Sequence, residues 1–185
     1  MKNNIRVSLS VITILSLVCF IIISLPHYYT EDEITPTLCQ AILEKSDRDA
    51  RSFCIIDIQK LNNTIVAGYT WGDPAQTKTF GYLSFARKKN KYTLYHNYSN
   101  IGTDGYNIYW TIYLDASPFC EDYSEELPEY ILLFNMDENL RTVIVSDDHM
   151  TQKIDIKPTL SMYLFKHPSN GGSLNCFDKE NNIIY

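Results

Sequence analysis

The sequence predicts a mainly β protein: an N-terminal transmembrane helix, a short amphipathic helix, then an antiparallel sandwich or curved meander of about eight to nine strands. Three observations carry this reading. Val7 to Leu25 is a long run without a single charged residue. From Phe53 onward apolar residues recur at every second position, the period of a half-buried strand. Turn-forming residues interrupt that pattern at short intervals, and no stretch alternates strands with long helical periods.

The apolar run comes first. Its 19 positions make roughly 28 Å of helix at about 1.5 Å per residue, against a hydrocarbon core of about 30 Å. An uncleaved signal-anchor is expected. A cleaved signal peptide is the competing reading, but it needs a shorter apolar region and a pair of small residues at its exit, and Ile22-Ile23-Ser24-Leu25-Pro26 supplies neither. Lys2 and Arg6 precede the run, and Glu31, Asp32 and Glu33 follow it. Basic residues stay on the cytoplasmic side, so the N-terminus is placed inside and the C-terminal part outside. The expected division is 1–26 cytoplasmic tip and membrane anchor, 27–50 stalk and short helix, and 51–185 extracytoplasmic β domain.

Charge and sulfur fit an exported domain. Removing Lys2 and Arg6 from the 16 basic residues leaves 14 against 22 acidic ones, a net charge near −8. Such a body repels phosphate backbones, so no nucleic-acid partner is expected. Cys19 lies in the apolar run, and Cys39, Cys54, Cys120 and Cys176 lie beyond it. Four outer cysteines in an oxidising compartment suggest disulfides, with Cys39–Cys54 and Cys120–Cys176 the expected pairing and four free thiols the alternative. No C-x-x-C pair supports zinc.

The elements follow in order. Thr35-Pro36 offers a helix start, with Thr as cap and Pro in the first position. Leu38, Ala41 and Ile42 then mark a short amphipathic helix to about Lys45. Strands are expected at Phe53–Ile58, Thr64–Trp71, Thr79–Ala86, Tyr92–His96, Tyr106–Leu114, Tyr130–Phe134, Leu140–Val145, Lys153–Ile156 and Leu160–Phe165. Asn62-Asn63, the Lys/Asn stretch after Ala86, Gly102-Thr103-Asp104-Gly105 and Asp147-Asp148-His149 mark turns.

Lys78 to Phe85, K-T-F-G-Y-L-S-F, lies one residue away from an RNA-reading strand signature. The net charge and the absence of a helical period between Phe53 and Phe80 argue instead for a hairpin strand. Gly81, Leu83 and Phe85 then share one face and Phe80, Tyr82 and Ser84 the other. The basic residues that follow form a solvated turn that discourages edge pairing.

Catalytic and metal signals are weak. The acidic stretch Glu121 to Glu129 lacks calcium-loop spacing. Asp147-Asp148-His149 sits in a tight turn, where Asp is common for backbone reasons. None of His27, His96, His149 and His167 has a partner at helical spacing, and no nucleophile elbow is present. No metal or other cofactor is expected. The remaining signal is aromatic: 14 tyrosines with Trp71 and Trp110. In the fifth strand Tyr106, Ile108, Trp110, Ile112 and Leu114 are expected to face inward, and Asn107, Tyr109, Thr111, Tyr113 and Asp115 to face water. Tyr109 and Tyr113 are expected to face outward and, with Trp71, to offer a binding surface, since tyrosine supplies contact area at low entropic cost.

The functional expectation is therefore a binding or structural module of the cell envelope, held at the membrane by residues 7–25, with a protein or glycan partner. A hydrolase whose Asp/His or Cys/His site forms only on folding is the alternative.

Overall fold

The computed structural model describes residues 26–46, 53–71, 79–102, 108–116, 118–119, 128–168 and 172–184. The expected membrane helix at Val7–Leu25 lies outside the described residues. Among the described residues no helix is long and apolar enough to cross a membrane.

The helix starts where its cap predicts. Helix α1 spans Pro36–Ser46, and the Leu38 amide donates to Thr35 Oγ1 at 3.3 Å, satisfying one of the orphan donors of the first turn. Its buried residues are Cys39 and Leu43, flanked by Leu38 and Ile42. The buried stripe is thus centred one residue beyond the expected Leu38–Ala41–Ile42 line. A 3-10 turn at Glu31–Glu33 precedes it, and there the Glu33 carboxylate accepts from the Thr30 amide at 2.6 Å.

Among the described residues ten strands follow: β1 Phe53–Lys60, β2 Thr64–Trp71, β3 Thr79–Lys88, β4 Lys91–Gly102, β5 Ile108–Leu114, β6 Glu129–Asn135, β7 Thr142–Ser146, β8 Thr151–Asp155, β9 Ser161–Lys166 and β10 Ser173–Phe177. The first nine correspond to the expected strands: β2 has the expected bounds, the expected start of β5 at Tyr106 lies outside the described residues, and the others have shifted ends; β10 comes in addition. All pairs are antiparallel, in sheets ordered β1-β2-β3-β4, β5-β6-β9 and β10-β7-β8.

Alternation along each strand assigns the packing. On one face of the four-stranded sheet Ile65, Ala67, Tyr69, Leu83 and Phe85 meet Cys39 and Leu43 of α1. On its other face Val66 and Phe80 meet Tyr113, Leu132, Phe134 and Met162 of the β5-β6-β9 sheet. That sheet turns Ile131, Leu133 and Phe165 the opposite way, onto Val143, Val145 and Cys176 of the β10-β7-β8 sheet. The β5-β6-β9 sheet therefore has packed partners on both faces.

The hairpin reading of the RNA-like stretch holds. Gly81, Leu83 and Phe85 pair with Tyr69, Ala67 and Ile65, while Phe80, Tyr82 and Ser84 pair with Thr70, Gly68 and Val66. Lys89 turns the hairpin at a φ of 56°. The sheets approach most tightly at glycine. A Cβ on Gly68 would stand 2.3 Å from Met162 Sδ and 2.8 Å from Phe134 Cε1, so the absent side chain is what lets β2 sit against β6 and β9.

The expected Cys39–Cys54 disulfide is not formed. Cys39 is a buried free thiol on the inner face of α1, whereas Cys54 is free and exposed on β1. Alternation turns Cys54 away from the face, carrying Phe53 and Ile55, that receives α1. Cys176 is also a buried free thiol; its expected partner, Cys120, lies outside the described residues.

Candidate binding edge

The site begins with β5, whose faces are exchanged relative to the sequence expectation. Tyr113 is only 4% exposed, and Tyr109 packs beside it between two sheets. Trp110, Ile112 and Leu114 are instead exposed, at 41%, 49% and 49%. The period of two holds along β5, and from Tyr109 to Leu114 its phase is reversed. Two physical facts set the phase. The tyrosine hydroxyl finds buried partners, and the β10-β7-β8 sheet covers β6 and β9 but reaches only Ile108 at the start of β5.

The buried partners form a polar clamp between sheets. Tyr113 Oη lies 2.6 Å from Ser84 Oγ and donates to Thr64 Oγ1 at 2.8 Å. Thr64 Oγ1 donates to Asp115 Oδ1 at 2.7 Å. The Asp115 carboxylate also accepts the amides of Asn62 and Asn63 at 3.1–3.2 Å. Asp115 is fully buried, and among the described residues three donors hold its carboxylate, the Thr64 hydroxyl and the Asn62 and Asn63 amides, so its polar atoms are not left unpaired. Desolvation raises the Tyr113 pKa to about 12. The clamp locks the end of β5 onto the β1–β2 turn and fixes which face of β5 looks outward.

Sequence reasoning missed this clamp. Thr64, Ser84 and Asp115 carry no signal of burial one at a time, and β5 alone gives no reason to bury tyrosine ahead of tryptophan and isoleucine. Of the expected binding residues, Trp71 is half-buried and packs on Tyr69 at a ring distance of 5.9 Å. It lies on the α1 face of the other sheet, so it is not brought together with Tyr109 and Tyr113.

An edge strand presents a template for another chain unless charge, bulge, proline or a cover blunts it. Strand β1 carries Asp57, Lys60 and a register shift. Strand β4 carries Lys91 and two shifts. Strand β8 has Lys153 and Asp155, and β9 has Lys166. Strand β10 is covered by Ile183 and Ile184 through a bridge to Phe177 and a bond to Cys176. Strand β5, Ile-Tyr-Trp-Thr-Ile-Tyr-Leu, has no charge, no proline and no register shift, and no described strand lies on its outer side.

The other candidate sites do not converge. The Asp147 carboxylate accepts the amides of His149 and Met150 at 2.7 Å, a turn-forming role. His167 Nδ1 stands 3.5 Å from Glu129 Oε2 at a partly exposed site, and His96 packs on neighbouring Tyr95. Among the described residues no three of His, Cys, Asp and Glu gather as metal ligands. A cleft of about 320 Å³ lies between β1 and the β8–β9 loop, lined by Asp57, Gln59, Lys157, Ser161 and Tyr163 among others. Gln59 there already donates to Asp57 Oδ2 and to the Met162 carbonyl, both at 3.0 Å.

Compared with protein-family models, curated proteins and solved structures, the chain finds no match.

Proposed function

We propose that this protein is a binding module carried outside the cytoplasm on an N-terminal membrane anchor, and that it takes an extended segment of another polypeptide onto β5. The β domain acts as a layered scaffold, and the anchor, residues 7–25, sets its place at the membrane. The observation that carries the binding reading is the row Trp110, Ile112 and Leu114, exposed on an uncharged edge strand.

Strand addition supplies affinity through main-chain bonds and selectivity through alternate side chains. A segment with apolar residues at every second position would cover this row, and the uncharged strand favours an uncharged partner. Tryptophan at the centre of such a contact is a common energetic anchor.

Placing a photo-crosslinking amino acid at Ile112 in the intact membrane-bound chain tests this. A discrete adduct is expected from that position and none from a control at Lys153 on β8. The substitution Trp110→Lys, on a solvent-facing position, should abolish the adduct while leaving thermal unfolding nearly unchanged. Equal adducts from both positions, or none from Ile112, would overturn the reading. An adduct of twice the chain mass would identify a second copy as the partner.

A further inference from the structure

The β3–β4 hairpin tip ends beside the residues that leave the apolar run. Tyr29 exchanges both backbone bonds with Tyr92, at 2.8 and 2.7 Å, and its ring meets Phe85 edge-on at 6.0 Å. Tyr29 is four residues beyond Leu25, at most about 14 Å of fully extended chain. The tip is thereby tethered close to the end of the expected membrane span.

The tip is basic and carries aromatic rings. Arg87, Lys88, Lys89 and Lys91 surround its turn. Lys88 Nζ bonds the Tyr28 hydroxyl at 3.2 Å and stands 4.9 Å from the centre of the Phe119 ring. Both rings are exposed, at 39% and 40%. Other elements close this end of the domain. The Arg87 amide donates to the Asn63 carbonyl, and Asn63 is bonded to Asp115 at the end of β5. Glu31, Asp32 and Glu33 are the opposing acids on the entering chain. Glu31 is paired with Lys60, and Glu33 is engaged by Thr30.

We propose that this tip rests on the lipid surface, Arg87, Lys88, Lys89 and Lys91 meeting the phosphates of anionic headgroups and Tyr28 and Phe119 entering the interface. The inference rests on the anchor reading and is separate from strand addition at β5. A headgroup layer is about 6 Å deep on each side of the hydrocarbon, and a lysine stem spans that depth by snorkelling. Each cation near an anionic surface adds attraction that salt screens, while aromatic rings favour the interface itself. The acidic remainder of the domain is pushed away, so the tip fixes which end faces lipid. These lysines lie about 60 residues after the span in sequence, so they do not compete with Lys2 and Arg6 in setting topology.

The test uses the full chain reconstituted in phosphatidylcholine vesicles with and without phosphatidylglycerol. A fluorescent amino acid is placed at Asn90, or at Lys153 as control, and quenched by headgroup-level spin-labelled lipid. Quenching at 90 should exceed that at 153, rise roughly two-fold with the anionic lipid and fall in about 1 M salt. The triple substitution Lys88→Glu, Lys89→Glu, Lys91→Glu should abolish the rise. Equal quenching at 90 and 153, in a chain that survives alkaline washing, overturns the orientation alone. A chain stripped by that wash overturns the anchor and the orientation with it.

Discussion

The Tyr113 hydroxyl on β5 lies 2.6 Å from the Ser84 hydroxyl on β3, joining two sheets through a buried polar contact. Tyr113→Phe keeps the ring and removes the link to both Ser84 and Thr64. Two buried hydroxyls then each lose a partner, a loss of about 1–3 kcal/mol. Denaturant unfolding of the chain in detergent measures it. A surface tyrosine would change stability by no more than about 0.5 kcal/mol, and that result would return Tyr113 to the outer face.

Asp115→Asn should cost at least as much as Tyr113→Phe. The carboxylate accepts two backbone amides and one hydroxyl, and an amide side chain offers one acceptor oxygen where two were used. Its NH₂ group would face donors. We expect a loss of about 3 kcal/mol or more, with faster hydrogen exchange at the Asn62 and Asn63 amides. Unchanged exchange at that turn would remove the clamp.

The contrast between β2 and β5 shows what the sequence could convey. Thr64–Trp71 was bounded correctly because turn residues flank a β-branched and aromatic run. The cap at Thr35 was legible because one hydroxyl and one proline act locally. Strand β5 was legible in period but not in phase, since phase depends on which sheet covers which strand. That is a property of partners more than 25 residues away, such as Ser84 and Thr64. Strand β10 escaped notice because Ser173–Phe177 is short and only Cys176 is fully buried. That β5 is the bare edge is likewise a property of the assembled sheets, since it depends on which strands end each sheet and how the other edges are blunted.

Gly81→Ala should be more damaging than Gly68→Ala. At Gly68 an added methyl would meet side chains alone, Met162 Sδ at 2.3 Å, the flexible part of a thioether, and Phe134 Cε1 at 2.8 Å. At Gly81 the methyl would meet the Tyr69 ring at 2.4 Å and the Tyr98 carbonyl oxygen at 2.6 Å. That carbonyl is β4 backbone, and Tyr69 is bonded to it and to Asn97. Overpacking at Gly68 should cost about 1–3 kcal/mol and Gly81 more, with β4 amides losing exchange protection. The reverse order would show that β4 yields more readily than Met162.

Thiol chemistry distinguishes the buried cysteines from the exposed one. Desolvation raises the pKa values of Cys39 and Cys176 from 9.0 to about 11, while Cys54 is exposed on β1. Alkylation of the folded chain at pH 8, mapped by mass spectrometry, should modify Cys54 quickly and reach Cys39 and Cys176 only through unfolding. Recovery of Cys39 and Cys54 in one disulfide-linked peptide would instead restore their expected pairing. The same burial predicts alkaline sensitivity, with Tyr113 contributing in the same direction. Each raised pKa keeps its proton in the folded state after the unfolded chain has released it, so stability is intact below about pH 9. It should fall between pH 9 and about 11 for the thiols, and between pH 10 and about 12 for Tyr113. Each group adds a slope of up to about 1.4 kcal/mol per pH unit. Cys39→Ala should flatten the lower part of that decline and Tyr113→Phe the upper part, and a decline unchanged in both variants would place its origin elsewhere.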